Sequence, residues 1–379
     1  MNFSESINEF VNKRQEKLLS LIRELCKIPA PSHAEEKRAE YVCDFFKSLK
    51  VGKTYIDSAK NACLLIKGKS DKITVISAHT DTVFPDTEPM PYYEDENVIR
   101  CPGVGDDTTS LAMLMLCAEY IAEKKITPEA SLLIAANSCE EGLGNLKGMR
   151  KIFDDYGKDI IRLVTFDANL GVINEKCVGS QRYEVTVMTE GGHSFGAFGK
   201  KNAIAELSGI ISRIYSLKLP EKEGCKTTYN VGSVEGGTSV NTIAQSAKML
   251  CEYRSDDEEC LDIMREKFLA IFRESESKDV KIEVKNIGNR PCATKVDTRL
   301  IKELSDMAIL SYRESGYDGE IRFPSSSTDA NIPLSLSVPA ICMGVYMGRK
   351  SHTREEEVDK SSLSIGLSTA LSMTLKLCK

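Results

Sequence analysis

The chain has 379 residues, 41% of them apolar and 28% charged, and 50 Lys plus Arg against 56 Asp plus Glu give a net charge of −6. That composition is ordinary for a soluble globular protein, and the length allows two or three domains with a large core. A mildly acidic chain without a basic block is a poor partner for nucleic acid, and no apolar run approaches the roughly 18 residues of a membrane span.

The start, MNFSESINEF, has no basic region followed by an apolar stretch, so no secretory signal is expected and the expected compartment is a reducing cytoplasm. The thirteen cysteines agree: their number is odd, none lies in a C-x-x-C pair, and the closest, Cys251 and Cys260, are nine apart. A disulfide framework is not expected, and most of them read as small buried hydrophobes. Zinc held by cysteine is disfavoured as well, so a metal here would need His and carboxylate ligands.

In chain order, an amphipathic helix is expected from Ser4 to Lys27, with Phe10, Leu18, Leu19, Ile22 and Leu25 on its apolar face and Pro29 and Pro31 as its stop. A second helix is expected to open at His33 and run to about Leu49. The β-rich runs ACLLIKG, ITVISAH, SLLIAAN and IRLVTFD then alternate with helical patterns such as SLAMLMLCAEYIAEKK. Apolar runs with little alternation, spaced by helices, indicate a mostly parallel sheet flanked by helices, an α/β fold. Near Val178 the texture changes. YEVTVMTEGG, KTTYNVGSVEGG, QSAKMLCEYRS and VKIEVKNIG read as antiparallel strands with one open face, accompanied by helices in NAIAELSGIISRIYSL and CLDIMREKFLAIFRES. After Thr294 the α/β pattern returns with a helix from Val296 to Ser315 and the buried strand VPAICMGVY. The expected organisation is an α/β domain over 1–178 and 291–379, interrupted by an inserted α+β domain over 179–290.

Only four histidines occur, so their positions are informative. His79 ends ITVISAH, and Asp81, two residues on, faces the same way on an extended chain. A carboxylate beside a ligating His fixes its tautomer. SLLIAANS leads into Glu140-Glu141, IRLVTF into Asp167, and VPAICMGVY, across a loop, to His352, while the Gly-rich turn CPGVGDD carries Asp106-Asp107 just before a helix. Sites in open parallel sheets form beyond the carboxyl ends of the strands, so four such deliveries to one rim outweigh any one alone.

The bland alternatives are real. Glu35-Glu36 and Glu355-Glu356-Glu357 read as ordinary adjacent acids, and a lone Asp after a strand is usually a cap or turn residue. Gly103 and Gly105 fall short of a phosphate loop, because no Gly-Lys-Ser/Thr follows and Asp106-Asp107 would repel phosphate. Jointly, however, two His and three carboxylates suit a pair of divalent ions, for which Zn²⁺, Co²⁺ or Mn²⁺ is acceptable. A bridging carboxylate can hold two such ions about 3.5–4 Å apart. One Glu of the pair could then ligate while the other moves protons.

The ordered set SAHTDTV, GVGDDTTS, NSCEEGLG, TFDANLG, GGHSFGAFGKKNAI, GGTSVNTIAQSAKMLCEYRS and SSSTDANIPLSLSVPAICMG…SHT resembles the family of co-catalytic zinc peptidases that includes peptidase T, glutamate carboxypeptidase, succinyl-diaminopimelate desuccinylase and aminoacylase. The resemblance runs from His79 to His352 and leaves His33 outside, as a surface or structural residue. It implies that His79, Asp106 and Asp167 hold one metal and that Asp106, Glu141 and His352 hold the other, with Asp106 bridging. It further implies that Asp81 orients His79 and that Glu140 is the general base. The insert would be a lid and dimerisation domain, in which His193 reaches the partner subunit's site and Asn241 and Arg254 bind the substrate's carboxylate end. Two positions depart from the pattern. The bridging acid is followed by Asp107-Thr108-Thr109-Ser110 with the usual Lys missing, and Phe195 stands after His193-Ser194 where a small residue is usual.

These residues imply amide hydrolysis of a small substrate with a free carboxylate by a metal-bridged hydroxide, with Glu140 passing the proton to the leaving amine and His193 assisting at the oxyanion. The expected enzyme is a cytoplasmic, homodimeric, two-zinc di- or tripeptidase or aminopeptidase, similar to the peptidase T-like branch, because position 167 is Asp and SSSTDANIPLSLSVPA resembles that branch. A carboxypeptidase or N-acyl amino acid deacylase on the same scaffold is the alternative. A non-catalytic binding protein would be signalled by loss of Glu140 or a ligand, and none is lost.

Overall fold

The computed structural model describes residues 3–293 and 296–379, so the expected return of the α/β pattern at Thr294 lies outside the described residues. The chain divides into two compact units, Met1–Cys177 with Thr294–Lys379, and Val178–Ala293.

The first unit is built on a seven-stranded sheet in the order Lys53–Ile56, Ala62–Ile66, Ala130–Asn137, Ser70–His79, Ile160–Phe166, Ala340–Met343, Ile173–Asn174. The four strands from Ala130–Asn137 to Ala340–Met343 are mutually parallel, and antiparallel strands close both edges. ACLLI therefore joins an antiparallel edge, while the other expected runs form the parallel centre. Every residue of Ala130–Asn137 and the last seven of Ser70–His79 are buried, as a sheet covered on both faces requires. The helix Ser110–Glu123 explains its near-continuous apolar sequence in the same way. It is buried almost all round, touching the sheet on one side and the helices Phe3–Cys26, Glu36–Leu49 and Leu363–Leu377 on others.

The second helix begins at Glu36 rather than His33. His33 has φ of 74°, a left-handed conformation that a right-handed helix cannot contain. Thr298–Glu314 forms within the span expected for the later helix, started by the Asp297 side chain, which accepts from Arg299 N–H.

The second unit is a four-stranded antiparallel sheet in the order Thr227–Gly236, Ser246–Ser255, Gly179–Met188, Lys281–Arg290. Alternate residues of the two central strands are buried beneath the helices Ala203–Tyr215 and Glu258–Ser275. Those helices are capped by Asn202 and Asp257, each worth about 1 kcal/mol. An aromatic cluster fills this core, with Tyr253 and Phe268 ring centroids 4.8 Å apart. The chain enters on Gly179–Met188 and leaves on Lys281–Arg290, neighbours that place Ser180 opposite Arg290.

Candidate active site

Three of the four parallel strands deliver acid or imidazole groups at their carboxyl ends: His79, Glu140-Glu141 after Asn137, and Asp167 after Phe166. The strand ending at His79 lies between the other two, and the chain visits one neighbour before the other. That order makes a switch point, where two departing loops open a crevice.

Asp106 reaches the same rim on an irregular turn, Val104–Thr109, ahead of the helix at Ser110. Gly103 makes the turn possible: its φ is +74°, and a Cβ there would stand 2.6 Å from Thr82 Cγ2. The turn is clamped by Glu356, whose carboxylate accepts from Gly103 N–H at 2.9 Å, Gly105 N–H at 2.9 Å and Asp106 N–H at 2.8 Å. Glu356 is therefore no ordinary surface acid, as its sequence neighbours suggested. It is 1% exposed, and burial together with nearby Asp106 pushes its carboxyl up to about 7. Where the motif's Lys is missing, the buried Arg38 guanidinium donates to Thr108 Oγ1 at 3.3 Å and to Thr80 O at 2.9 Å. A cation supports this turn from another element.

At the centre, the two oxygens of Asp106 each take one imidazole: Oδ1 lies 2.9 Å from His79 Nε2 and Oδ2 lies 3.1 Å from His352 Nε2. His352 Nε2 is also 3.2 Å from Glu141 Oε1. Two sets of potential ligand atoms gather within 4.8 Å of one another, His79 with Glu140 and Asp167, and His79 with Asp106 and Glu141. These sets do not coincide with the two ligand groups implied by the resemblance: Glu140 stands among the atoms of the first, and His352 joins the second through Asp106 and Glu141.

The electrostatics fit divalent cations. Burial and Asp106 push the Asp167 carboxyl up to about 7, and the same two causes raise Glu141. Burial would raise Asp106 too, but hydrogen bonds from His352 and His79 hold it below the usual carboxylate range. His352 is pushed up to about 11 by Asp106 and Glu141. Carboxylates crowded at a buried rim repel one another, and a bound cation relieves that repulsion. The donor set of imidazole and carboxylate is one that zinc, cobalt or manganese accepts.

Asp81 contacts more than His79. The His79 Nδ1 atom lies 3.0 Å from the main-chain carbonyl of Asp81 and 3.4 Å from its Oδ1, so the backbone shares the orienting role. The Asp81 side chain also accepts from Glu140 N–H and Glu141 N–H, each at 2.9 Å, and from Ser32 Oγ at 2.6 Å. Glu35, another acid that read as bland, is fully buried and accepts from Cys139 N–H at 3.0 Å. Nothing local in the sequence marks Ser32, Glu35 or Glu356, because their partners lie 49, 104 and 250 residues away. Asp329, in the SSSTDANIP run, accepts from Asn137 Nδ2 at 2.5 Å and adds its charge to the field at Asp167.

In the second unit, Gly192–His193 pairs with Thr242–Ile243, and Ser194 N–H donates to Asn241 O at 3.0 Å, which brings His193 and Asn241 together. The His193 Nδ1 atom accepts from Phe195 N–H and Gly196 N–H, both at 3.3 Å, leaving Nε2 as the N–H donor. Phe195 is 89% exposed beside it. Arg254 is not part of this group. It lies at the far end of Ser246–Ser255, opposite Ser180, and its guanidinium donates to Glu252 at 2.7 and 3.1 Å.

Comparison with known proteins gives a family. Residues 75–376 match the family model for peptidase family M20/M25/M40. A putative succinyl-diaminopimelate desuccinylase of Mycobacterium tuberculosis is 23% identical over 358 residues, covering 91% of this chain and 94% of the relative. A tripeptidase structure from Staphylococcus aureus superposes with a TM-score of 0.77 at 21% identity, covering 96% and 98% of the two chains. The YXEP protein of Bacillus subtilis, a dinuclear metal binding peptidase, superposes with a TM-score of 0.67 at 16% identity, covering 97% and 99%.

Proposed function

Because the chain belongs to peptidase family M20/M25/M40, and is thereby a metal-binding hydrolase, we propose that it cleaves the amide bond of small peptides with a free carboxylate, as a di- or tripeptidase or aminopeptidase. Two divalent ions, zinc foremost, would be held by His79, Asp106, Asp167, Glu141 and His352. The observation that carries this proposal is Asp106 standing between two imidazoles with one oxygen to each, the posture of a bridging ligand. Ions held there supply a Lewis acid for the scissile carbonyl and acidify water.

The chain's own groups do the rest. Glu140, 5% exposed and anchored through its N–H to Asp81, takes the proton of the attacking water and returns it to the leaving amine. His193, donating from Nε2, suits the oxyanion. Arg254 offers a planar fork for the substrate carboxylate once Glu252 yields part of it.

A homodimer is part of the proposal. Eight residues separate Ser246 from Arg254 on one strand, about 26 Å at roughly 3.3 Å per residue, and Asn241 lies beyond Ser246. One small peptide cannot touch both ends, so if Asn241, His193 and Arg254 serve a common substrate they come from two chains. A reducing cytoplasm suits thirteen unbonded cysteines, twelve of them buried.

The test is a substrate panel with Zn²⁺, Co²⁺ and Mn²⁺ in turn. Free-amine tripeptides and dipeptides should be turned over at least about tenfold faster, in kcat/KM, than N-acetyl and N-succinyl amino acids. The reverse ranking moves the assignment to an N-acyl amino acid deacylase, and cleavage confined to the C-terminal residue of longer peptides moves it to a carboxypeptidase.

A further inference from the structure

Three consecutive N–H groups, centred on the proposed general base Glu140, each end on a buried carboxylate. Cys139 N–H donates to Glu35 Oε1 at 3.0 Å, Glu140 N–H to Asp81 Oδ1 at 2.9 Å, and Glu141 N–H to Asp81 Oδ2 at 2.9 Å. Both carboxylates are in turn tied to the segment Ser32–Glu35. Ser32 Oγ donates to Asp81 Oδ2 at 2.6 Å and lies 3.3 Å from Glu141 O, and His33 N–H donates to Glu35 Oε1 at 2.9 Å. We propose that Ser32 and Glu35 are positioning residues that grip Cys139–Glu141 and so aim the Glu140 carboxylate at the reacting centre.

Two features require such a grip. Cys139 has φ of 59°, in the left-handed region, where a residue with a side chain stays only if its surroundings hold it. The bond to Glu35 does so, and the Cys139 thiol at 3.1 Å from the same oxygen adds a second contact. Glu35 itself is fully buried, with Lys60 Nζ at 3.9 Å from its other oxygen. A carboxylate is costly to bury unless its hydrogen bonds repay the loss of water, and here they fall on the residue just before Glu140. Loss of the Glu35 acceptor lets Cys139 relax toward right-handed backbone, which rotates the next peptide and swings the Glu140 side chain. Displacements of about 1 Å at a reacting group cost up to about 10²-fold in rate.

The inference rests on the assignment of Glu140 as general base, and the experiment separates the two. Wild type, Glu35→Ala, Glu35→Gln and Ser32→Ala, each over the 379 residues, are compared for kcat, KM, bound metal and melting temperature, on the best substrate of the panel. Glu35→Ala should lose about 10–100-fold in kcat with KM within about threefold and the metal content of wild type, because Glu141 keeps its bond to Asp81. Glu35→Gln retains a carbonyl oxygen for both N–H groups and should recover kcat to within about fivefold of wild type. Ser32→Ala should lose about 3–10-fold in kcat, and it decides the matter if Glu35→Ala does not fold. A purely structural clasp would lower the melting temperature and leave kcat per folded molecule unchanged. That outcome, a loss of metal in place of kcat, or Glu35→Gln as impaired as Glu35→Ala, overturns the proposal. Wild-type inactivity on every substrate overturns the functional assignment instead.

Discussion

Glu140 and Glu141 carry the same side chain at the same strand end, yet their substitutions are expected to part ways. Glu140→Gln keeps shape and removes the proton acceptor, so turnover should fall by at least about 10²–10⁴-fold while about two ions per chain remain. Glu141→Ala takes away an oxygen that already lies 3.2 Å from His352, and should release a metal. Metal analysis beside single-turnover kinetics checks both, and equal metal loss in the two variants refutes the division of roles. His79, Glu140, Glu141 and Asp167 follow buried apolar runs and Asp106 sits in a glycine turn, patterns that a sequence shows; the fourth expected delivery does not come from the end of its buried strand, because His352 lies nine residues past Met343 in an exposed loop. The groups that hold these residues were not legible. Glu35 and Glu356 look like surface acids until folding brings distant N–H groups to them, and no local pattern records a partner 104 or 250 residues away.

The turn Val104–Thr109 is clamped through three N–H groups by one carboxylate outside it, that of Glu356. In Glu356→Gln an amide NH₂ must replace an oxygen that faces Gly103 N–H, or faces both Gly105 and Asp106 N–H, so donor meets donor. Asp106 should be held less firmly, and metal affinity should drop about 10–100-fold by competition with a chelator, the usual cost of losing an outer support. A second tie lies at Glu94, which joins the first helix through Arg23 Nη2 at 2.7 Å and the chain's last quarter through Lys360 Nζ at 2.9 Å. Burial would raise this carboxyl, but hydrogen bonds from Tyr92, Lys360 and Arg23 bring it down from 4.5 to about 2. A carboxyl depressed on folding contributes stability above its unfolded pKa and loses it as pH falls toward the folded value. Melting temperatures of wild type and Glu94→Gln should therefore differ most above pH about 5 and converge as pH falls to about 2; a gap that holds steady over that range contradicts the assignment. Helices were legible from their periods and the central parallel strands from their unbroken apolar runs. The small sheet of Tyr93–Glu94, Val98–Arg100, Gly348–Arg349 and Glu357–Asp359 was not, because two- and three-residue strands from opposite ends of the chain carry too few residues to show an alternation.

For the whole molecule the decisive experiment mixes two inactive variants, Glu140→Gln and His193→Ala, under conditions that let subunits exchange. If His193 serves the partner's site, a mixed dimer holds one site with both groups intact, and activity should return to about a quarter to a half of wild type, the share of intact sites such mixing allows. A mixture that stays dead places His193 in its own chain's site, and a monomer by sedimentation at working concentration excludes the arrangement. An inserted unit was expected because alternation replaces continuous apolar runs at Val178, over 179–290 where the compact unit spans 178–293; what the alternation could not tell was that the insert begins and ends on neighbouring strands, with Ser180 opposite Arg290. That adjacency makes residues 178–293 behave as a cassette. Strands in register lie about 5 Å apart, so the insert's first and last strands bring its own two ends close together, as segments tolerated as insertions have them. With its own sheet, two capped helices and an aromatic core, the cassette should fold when expressed alone, giving a cooperative melt by circular dichroism; a fragment without one would show that it borrows stability from its host. The rim that His79, Asp106 and Glu141 share is built from residues of the first unit alone. If the insert carries the substrate-binding and pairing groups proposed above, substrate choice and subunit pairing can diverge while the reacting centre stays fixed.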